Sequence, residues 1–251
     1  MPVPPNHVCE AFQTPKEVPA PLGHAWDNGT KIGDMALSQA TPTALWSAKV
    51  RAGLSVEGAR IARPILSTDG RYTVAGWKAS AWSQGDLARR VDETALLALK
   101  LADSLASVPA PTAQRDDVFA RAEAAAWQET GEAYRSLAPD TELCVGHADL
   151  LASTIFHHLL PPTIVDLVPT AALRPRGYTC ALVIVDGMIA GAVDDSICDR
   201  FAHIRDIEQL LLRAVAYRRH VNNLHPEAKA NTRSHINRVE DLLVSRAYAM
   251  L

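Results

Sequence analysis

The sequence predicts an α+β protein in two parts, a small β-rich region to about Gln84 and a longer, mainly helical region after it. Two observations carry this. Between Val18 and Ala79 the chain alternates short β-compatible pieces with glycine-bearing turns, whereas beyond Asp92 apolar residues recur mostly at helical spacing.

Taken in order, the first twenty residues are proline-rich and are expected to be irregular. Val18 to Asp34 carries Gly23, Gly29 and Gly33 between β-compatible pieces. Thr43 to Leu54 reads as a helix, because Leu45, Trp46, Val50 and Leu54 share one face. Ile61 to Leu66 and Tyr72 to Ala79 read as strands around Thr68-Asp69-Gly70, a hairpin signal since glycine tolerates positive φ. Trp82-Ser-Gln-Gly85 reads as a hinge. Asp92 to Val108 and Arg115 to Thr130 form amphipathic helices separated by the Pro109-Ala-Pro111 breaker. The last helices are expected at Gly177 to Val193, His203 to Arg219 and Thr232 to Ala249.

A chain of 251 residues with 48% hydrophobic content can bury a full core, and its formal charge of −3 calls for no nucleic-acid partner. Cys9, Cys144, Cys180 and Cys198 form no C-x-x-C pair, which suits reduced thiols in the cytoplasm. The opening Met1 to Pro5 lacks the basic and apolar regions of a signal peptide, and the longest apolar run, Cys180 to Val193, is broken by Asp186. A soluble protein is expected. There is no G-x-S-x-G elbow, P-loop, H-E-x-x-H or G-x-G-x-x-G. From Arg213 onward basic residues, Lys229 among them, exceed acids such as Glu227, as expected of a solvated helical face.

The most informative segment is Val145 to Phe156, followed by Thr163-Ile-Val-Asp-Leu-Val168. A kinase catalytic loop reads H-R-D-L-x-x-x-N; its Asp takes the acceptor hydroxyl proton and its Asn holds magnesium. His147, Asp149 and Leu150 fit, and Thr154 stands where the Asn belongs. Asp166 follows in an apolar run, where a second metal-binding Asp is expected, and one hairpin would bring both carboxylates to one cleft. An acid in such a run is costly to bury without a metal, base or donor network beside it.

These motifs resemble the aminoglycoside phosphotransferase and choline kinase group. Ala59 to Pro64, Ser67 to Gly70, Val74 to Trp77, Arg174-Pro175 and Val183 to Gly187 add a closer similarity to an uncharacterised actinobacterial family of kinase-like proteins. The resemblance implies a two-lobed, protein-kinase-like fold, with a reduced β-rich N-lobe over 1–84 and a helical C-lobe over 85–251. It implies Asp149 as base, His147 as the residue ordering its loop, and Asp166 with Thr154 as magnesium ligands. For ATP it implies the glycine loop at Gly23, a lysine for which Lys31 is the candidate, and Trp77, which with Trp82 and Gln84 flanks the hinge.

The family's lysine pairs with a Glu on the following helix, but Thr43 to Gly53 contains no acid, and Lys49 falls about where the Glu belongs. Two readings stay open: an active ATP- and magnesium-dependent phosphotransferase acting on a small molecule, and a pseudokinase that binds a metabolite or a protein partner. In kinase-like C-lobes an Asp on a buried helix accepts backbone N–H groups of the catalytic loop; Asp186 either does this or faces a groove between helices. His157 and His158 would point to opposite faces if the strand continued through them.

Overall fold

The computed structural model describes residues 3–113, 115–226, 228 and 230–249. Met1 and Pro2 of the expected leaderless start, and Glu227 and Lys229 of the basic surface, lie outside the described residues. The fold is mixed α+β. In chain order the elements begin with α1 (Asn6–Ala11), β1 (Ala20–Pro21), β2 (Thr30–Ile32), β3 (Met35–Gln39) and α2 (Ala44–Gly53). Next come β4 (Arg60–Ile61), β5 (Thr73–Val74), β6 (Trp77–Ala81), β7 (Asp86–Leu87), α3 (Val91–Leu105) and α4 (Val118–Gln128). Then follow β8 (Leu143–His147), β9 (Thr154–Phe156), β10 (Thr163–Ile164), β11 (Pro169–Pro175), α5 (Tyr178–Ile189), α6 (Ser196–Arg200), α7 (Ile207–Leu224) and α8 (Ala230–Ala249). Among the described residues no helix is long and apolar enough to cross a membrane.

The chain forms two compact units. One comprises Met1–Ala88, Pro111–Ala113 and Ala152–Pro169; the other comprises Arg89–Ala110, Gln114–Leu151 and Thr170–Leu251. In the first unit a sheet runs β1-β2-β3-β6-β5, antiparallel throughout. A second sheet runs β4-β10-β9-β7, in which β4 and β10 are parallel. Side chains alternate across a strand, so Leu37, Trp77 and Ala79 join Val8, Phe12, Ile32 and Val74 in one core cluster. Ala36 instead joins Trp26, Ala62, Ile155 and Val165. The N-terminal stretch is therefore only partly irregular: Val8 and Phe12 anchor α1, while 12–19 form no helix or strand.

Two strand readings also change. Tyr72 to Ala79 is broken into a hairpin at Ala75 and Gly76, whose φ values of 48° and 78° make the left-handed turn that joins β5 to β6. Thr68-Asp69-Gly70 does turn, closed by Ser67 N–H donating to Arg71 O at 2.8 Å, but irregular chain flanks most of it. There Thr68 N–H is taken by Ala11 O in the α1 region, while Arg63 to Ile65 still meets β6 through Ala81 N–H to Arg63 O (2.8 Å) and Ile65 N–H to Ala79 O (2.9 Å), a single bridge rather than a strand.

In the second unit α5 is buried almost throughout and packs against α3, α7 and α8. A Cβ on Gly187 would lie 2.6 Å from Val91 Cγ1, so α3 and α5 approach as closely as they do only because this position is glycine. Asp92 and Glu93 in the first turn of α3 suit its positive N-terminal end, and Asp117 caps α4 by accepting from Ala120 N–H at 2.9 Å. The cysteines are all unpaired; burial pushes Cys180 up to about 12 and Cys198 up to about 11, which keeps these thiols inert.

Candidate functional site

The densest charged cluster lies in the first unit and centres on Asp166, two residues beyond β10. Helix α2 presents Ser47 and Arg51, four residues apart and so on one face, to this carboxylate. Ser47 Oγ donates to Asp166 Oδ1 at 2.5 Å, and Arg51 Nε lies 3.2 Å from the same oxygen. Lys78 Nζ donates to Asp166 Oδ2 and also to Asp27 Oδ2 at 2.8 Å. The backbone N–H of Leu167 adds a fourth donor at 2.8 Å.

Arg51 is 1% exposed, and its guanidinium also donates to the carbonyls of Ala62 (2.6 Å) and Val165 (3.1 Å) and to Ser80 Oγ (3.1 Å). It ties α2 to both sheets of the unit. Lys78 reaches the cluster because of strand register. It sits on β6 directly across from Ser38 on β3, and one residue's alternation turns it away from the side that takes Trp77 into the apolar core.

The electrostatics follow from this crowding. Burial would raise the Asp166 carboxyl, but Lys78 and Arg51, with the Lys78 and Ser47 hydrogen bonds, hold it at about 2. Burial likewise opposes the Lys78 charge, and Asp166 and Asp27 overcome it, raising the ammonium above its ordinary value. For Arg51, burial prevails and lowers the guanidinium in spite of Asp166 and Asp27.

In the second unit the His147–Asp149 turn is ordered differently. His147, at the end of β8, is 1% exposed; its Nδ1 accepts from Asp149 N–H at 3.1 Å, and its own N–H donates to Thr179 Oγ1 at 2.8 Å. The expected brace from Asp186 exists in altered form. Asp186 accepts both Nε and Nη2 of Arg218 at 2.6 Å, and Arg218 Nη2 donates to the carbonyl of Ala148 at 2.9 Å. The loop is thus held through an arginine and a carbonyl rather than by backbone N–H groups on Asp186. Burial works against the Arg218 charge, and the two-pronged Asp186 contact outweighs it, raising the guanidinium further. Asp149 itself is 43% exposed, and its ion pair with Arg218 is long, at 3.9 Å.

Asp149 belongs to the second unit, whereas Thr154 and Asp166 belong to the first. Thr154 is fully buried on β9, opposite Ile164 on β10. Gly23 begins a 3-10 turn, and nothing lies within 4 Å of where its Cβ would be. Lys31 is on β2, with Nζ 4.4 Å from the centre of the Trp82 ring, a cation–π contact. The strand at Phe156 stops before His157 and His158, so their rings do not alternate across a sheet but lie 4.4 Å apart.

Reading the sequence missed Lys78, Arg51, Ser47 and Asp27, and it set Arg213 and Arg218 on a solvated basic face, whereas Arg213 is 9% exposed and Arg218 is mostly buried on Asp186. A signal existed for two of the missed residues: Ser47 and Arg51, at i, i+4, share a face with the small residues Ala44 and Ala48, and that face is the buried one. Among the described residues no three His, Cys, Asp or Glu side chains are grouped to hold a metal ion. No protein-family model matches the chain, and no curated protein matches it in sequence.

Proposed function

We propose that this chain is a two-lobed, kinase-like protein of the aminoglycoside phosphotransferase type whose phosphoryl transfer is degenerate or very slow. The observation that carries the reading is the state of Asp166, which already faces two cations. A magnesium ligand must offer free carboxylate lone pairs, and here Lys78, Arg51, Ser47 and Leu167 N–H take them. A divalent ion beside this carboxylate would also face Lys78 and Arg51. At about 4 Å and an effective dielectric constant near 20, each such repulsion is worth several kcal/mol.

The pattern of strands, glycine-bearing loop and helix in the first unit supports the family reading, as does a lysine opposite Ser38. The helix that should bring a Glu to that lysine brings Arg51 instead, so Asp166 neutralises the lysine rather than a metal. Within this reading ATP and magnesium are weak ligands, Lys78 takes the role first assigned to Lys31, and the free thiols suit the cytoplasm. A metabolite or a protein is the partner such a fold would serve.

One observation favours the second reading, an active enzyme with Asp149 as base: this carboxylate is exposed and only distantly paired, on a loop held by His147 and Arg218. Incubation with labelled ATP, magnesium and a panel of aminoglycosides, choline and small hydroxylated metabolites separates the two. We expect turnover far below the rate of about one per second typical of kinases. Turnover at that rate, lost in Asp149→Asn, would establish the active enzyme.

A further inference from the structure

We propose that Asp27 is a built-in occupant of the Lys78 site, so that the loop between β1 and β2 keeps phosphate-bearing anions out until Asp27 is displaced. This deepens the nucleotide reading and rests on it only for the identity of the ligand. Trp26, 9% exposed, packs with Ala36, Ala62, Ile155 and Val165 and pins the loop down. Asp27 and Asn28 then follow with φ values of 54° and 50°, a left-handed pair in which no glycine is used. Asp and Asn tolerate this conformation better than other side chains. The turn directs the Asp27 carboxylate onto Lys78 Nζ at 2.8 Å and Ser38 Oγ at 3.3 Å. The hollow beside it, lined by Asp27, Ser38, Lys78, Ser80 and Asp166, measures about 10 Å³. That is room for about one water and no more.

The two carboxylates on Lys78 are not equivalent. Asp166 is 16% exposed and also held by Arg51, Ser47 and a backbone N–H. Asp27 is 47% exposed and, among the described residues, held by Lys78 and Ser38, so it is the one that can leave. With it in place, Lys78 and Arg51 balance Asp166 and Asp27. Once it swings out the cluster carries one net positive charge, with the Lys78 ammonium and the Ser38 hydroxyl free to donate. A phosphate group is the chemistry that replaces a carboxylate there.

The experiment uses the full chain, with pyrophosphate as the probe and ATP as a second arm, in the parent and in Asp27→Asn. Asp27→Gly serves as a second variant that suits the left-handed backbone and folds even where Asn does not. Removing a half-exposed competing ion pair should tighten pyrophosphate binding about two- to fivefold in calorimetry. Bound pyrophosphate should also protect Lys78 from acylation, read by mass spectrometry. Unchanged affinity in both variants, or tightening without protection of Lys78, would overturn the proposal. Tighter pyrophosphate binding with ATP no better than pyrophosphate supports the Asp27 cover and removes the nucleotide reading. ATP binding equally well to parent and variants keeps the nucleotide reading and removes the cover.

Discussion

Two carboxylates expected to share one chemistry, Asp166 in the first unit and Asp149 in the second, have opposite surroundings. Asp166 is mostly buried and meets two cations, a hydroxyl and an N–H. Asp149 is exposed, and what is firmly held is its loop, through Ala148 and Arg218, rather than its own oxygens. The contrast teaches that a motif acid can be absorbed into the architecture or left available for reaction, and that the neighbouring elements decide which. Asp166 owes its fate to the face of α2 and the register of β6; Asp149 owes its freedom to Asp186 taking the arginine.

The sharpest way to break this comparison is to remove Asp166. Asp166→Ala leaves Lys78 with only the exposed Asp27 and leaves Arg51 as a buried cation with no close carboxylate, a class of change costing about 3–5 kcal/mol. Urea denaturation of parent and variant measures it; a loss under 1 kcal/mol would mean that Asp166 is not the hub of its unit.

A smaller effect should appear with acid. The Asp166 carboxyl is held at about 2 against an ordinary 3.8, so its contribution is complete above about pH 4 and disappears as pH falls through 2. A shift of that size corresponds to roughly 2 kcal/mol. Stability followed from pH 6 to pH 2 should therefore fall more steeply in the parent than in Asp166→Asn, and parallel curves would show the two cations to be ineffective.

The smallest effect is expected at the other carboxylate. Asp149→Asn removes an exposed charge with one long ion pair and should shift stability by no more than about 0.5 kcal/mol. A loss comparable to that of Asp166→Ala would erase the difference between the two regions.

Much of this could be read from the chain in advance. Helices α2, α3, α4, α5, α7 and α8 fall where the sequence predicts helices, within about five residues at their ends, but the spacing did not fix every face: in α2 Ala44, Ser47, Ala48 and Arg51 are buried while Leu45 is exposed. The unpaired cysteines agree with their spacing. The short strands were less legible. Val74-Ala75-Gly76-Trp77 looks continuous as a one-dimensional pattern, and only the positive φ at Ala75 and Gly76 turns it into a hairpin.

By itself the sequence determined the α+β class, the helical second half, and the cost of leaving Asp166 unpartnered in an apolar run. It also marked the His147–Asp149 turn as unusual. Which groups answer Asp166 was decided by tertiary structure alone. Lys78 and Arg51 lie far from it along the chain, and no local periodicity encodes a meeting of one strand's register with one helix's face. The same register that takes Trp77 into the α1 core turns Lys78 toward the carboxylates. Local spacing sets which side of an element is apolar, but which charges meet across elements is set by packing, where a buried charge is stable only beside its partner.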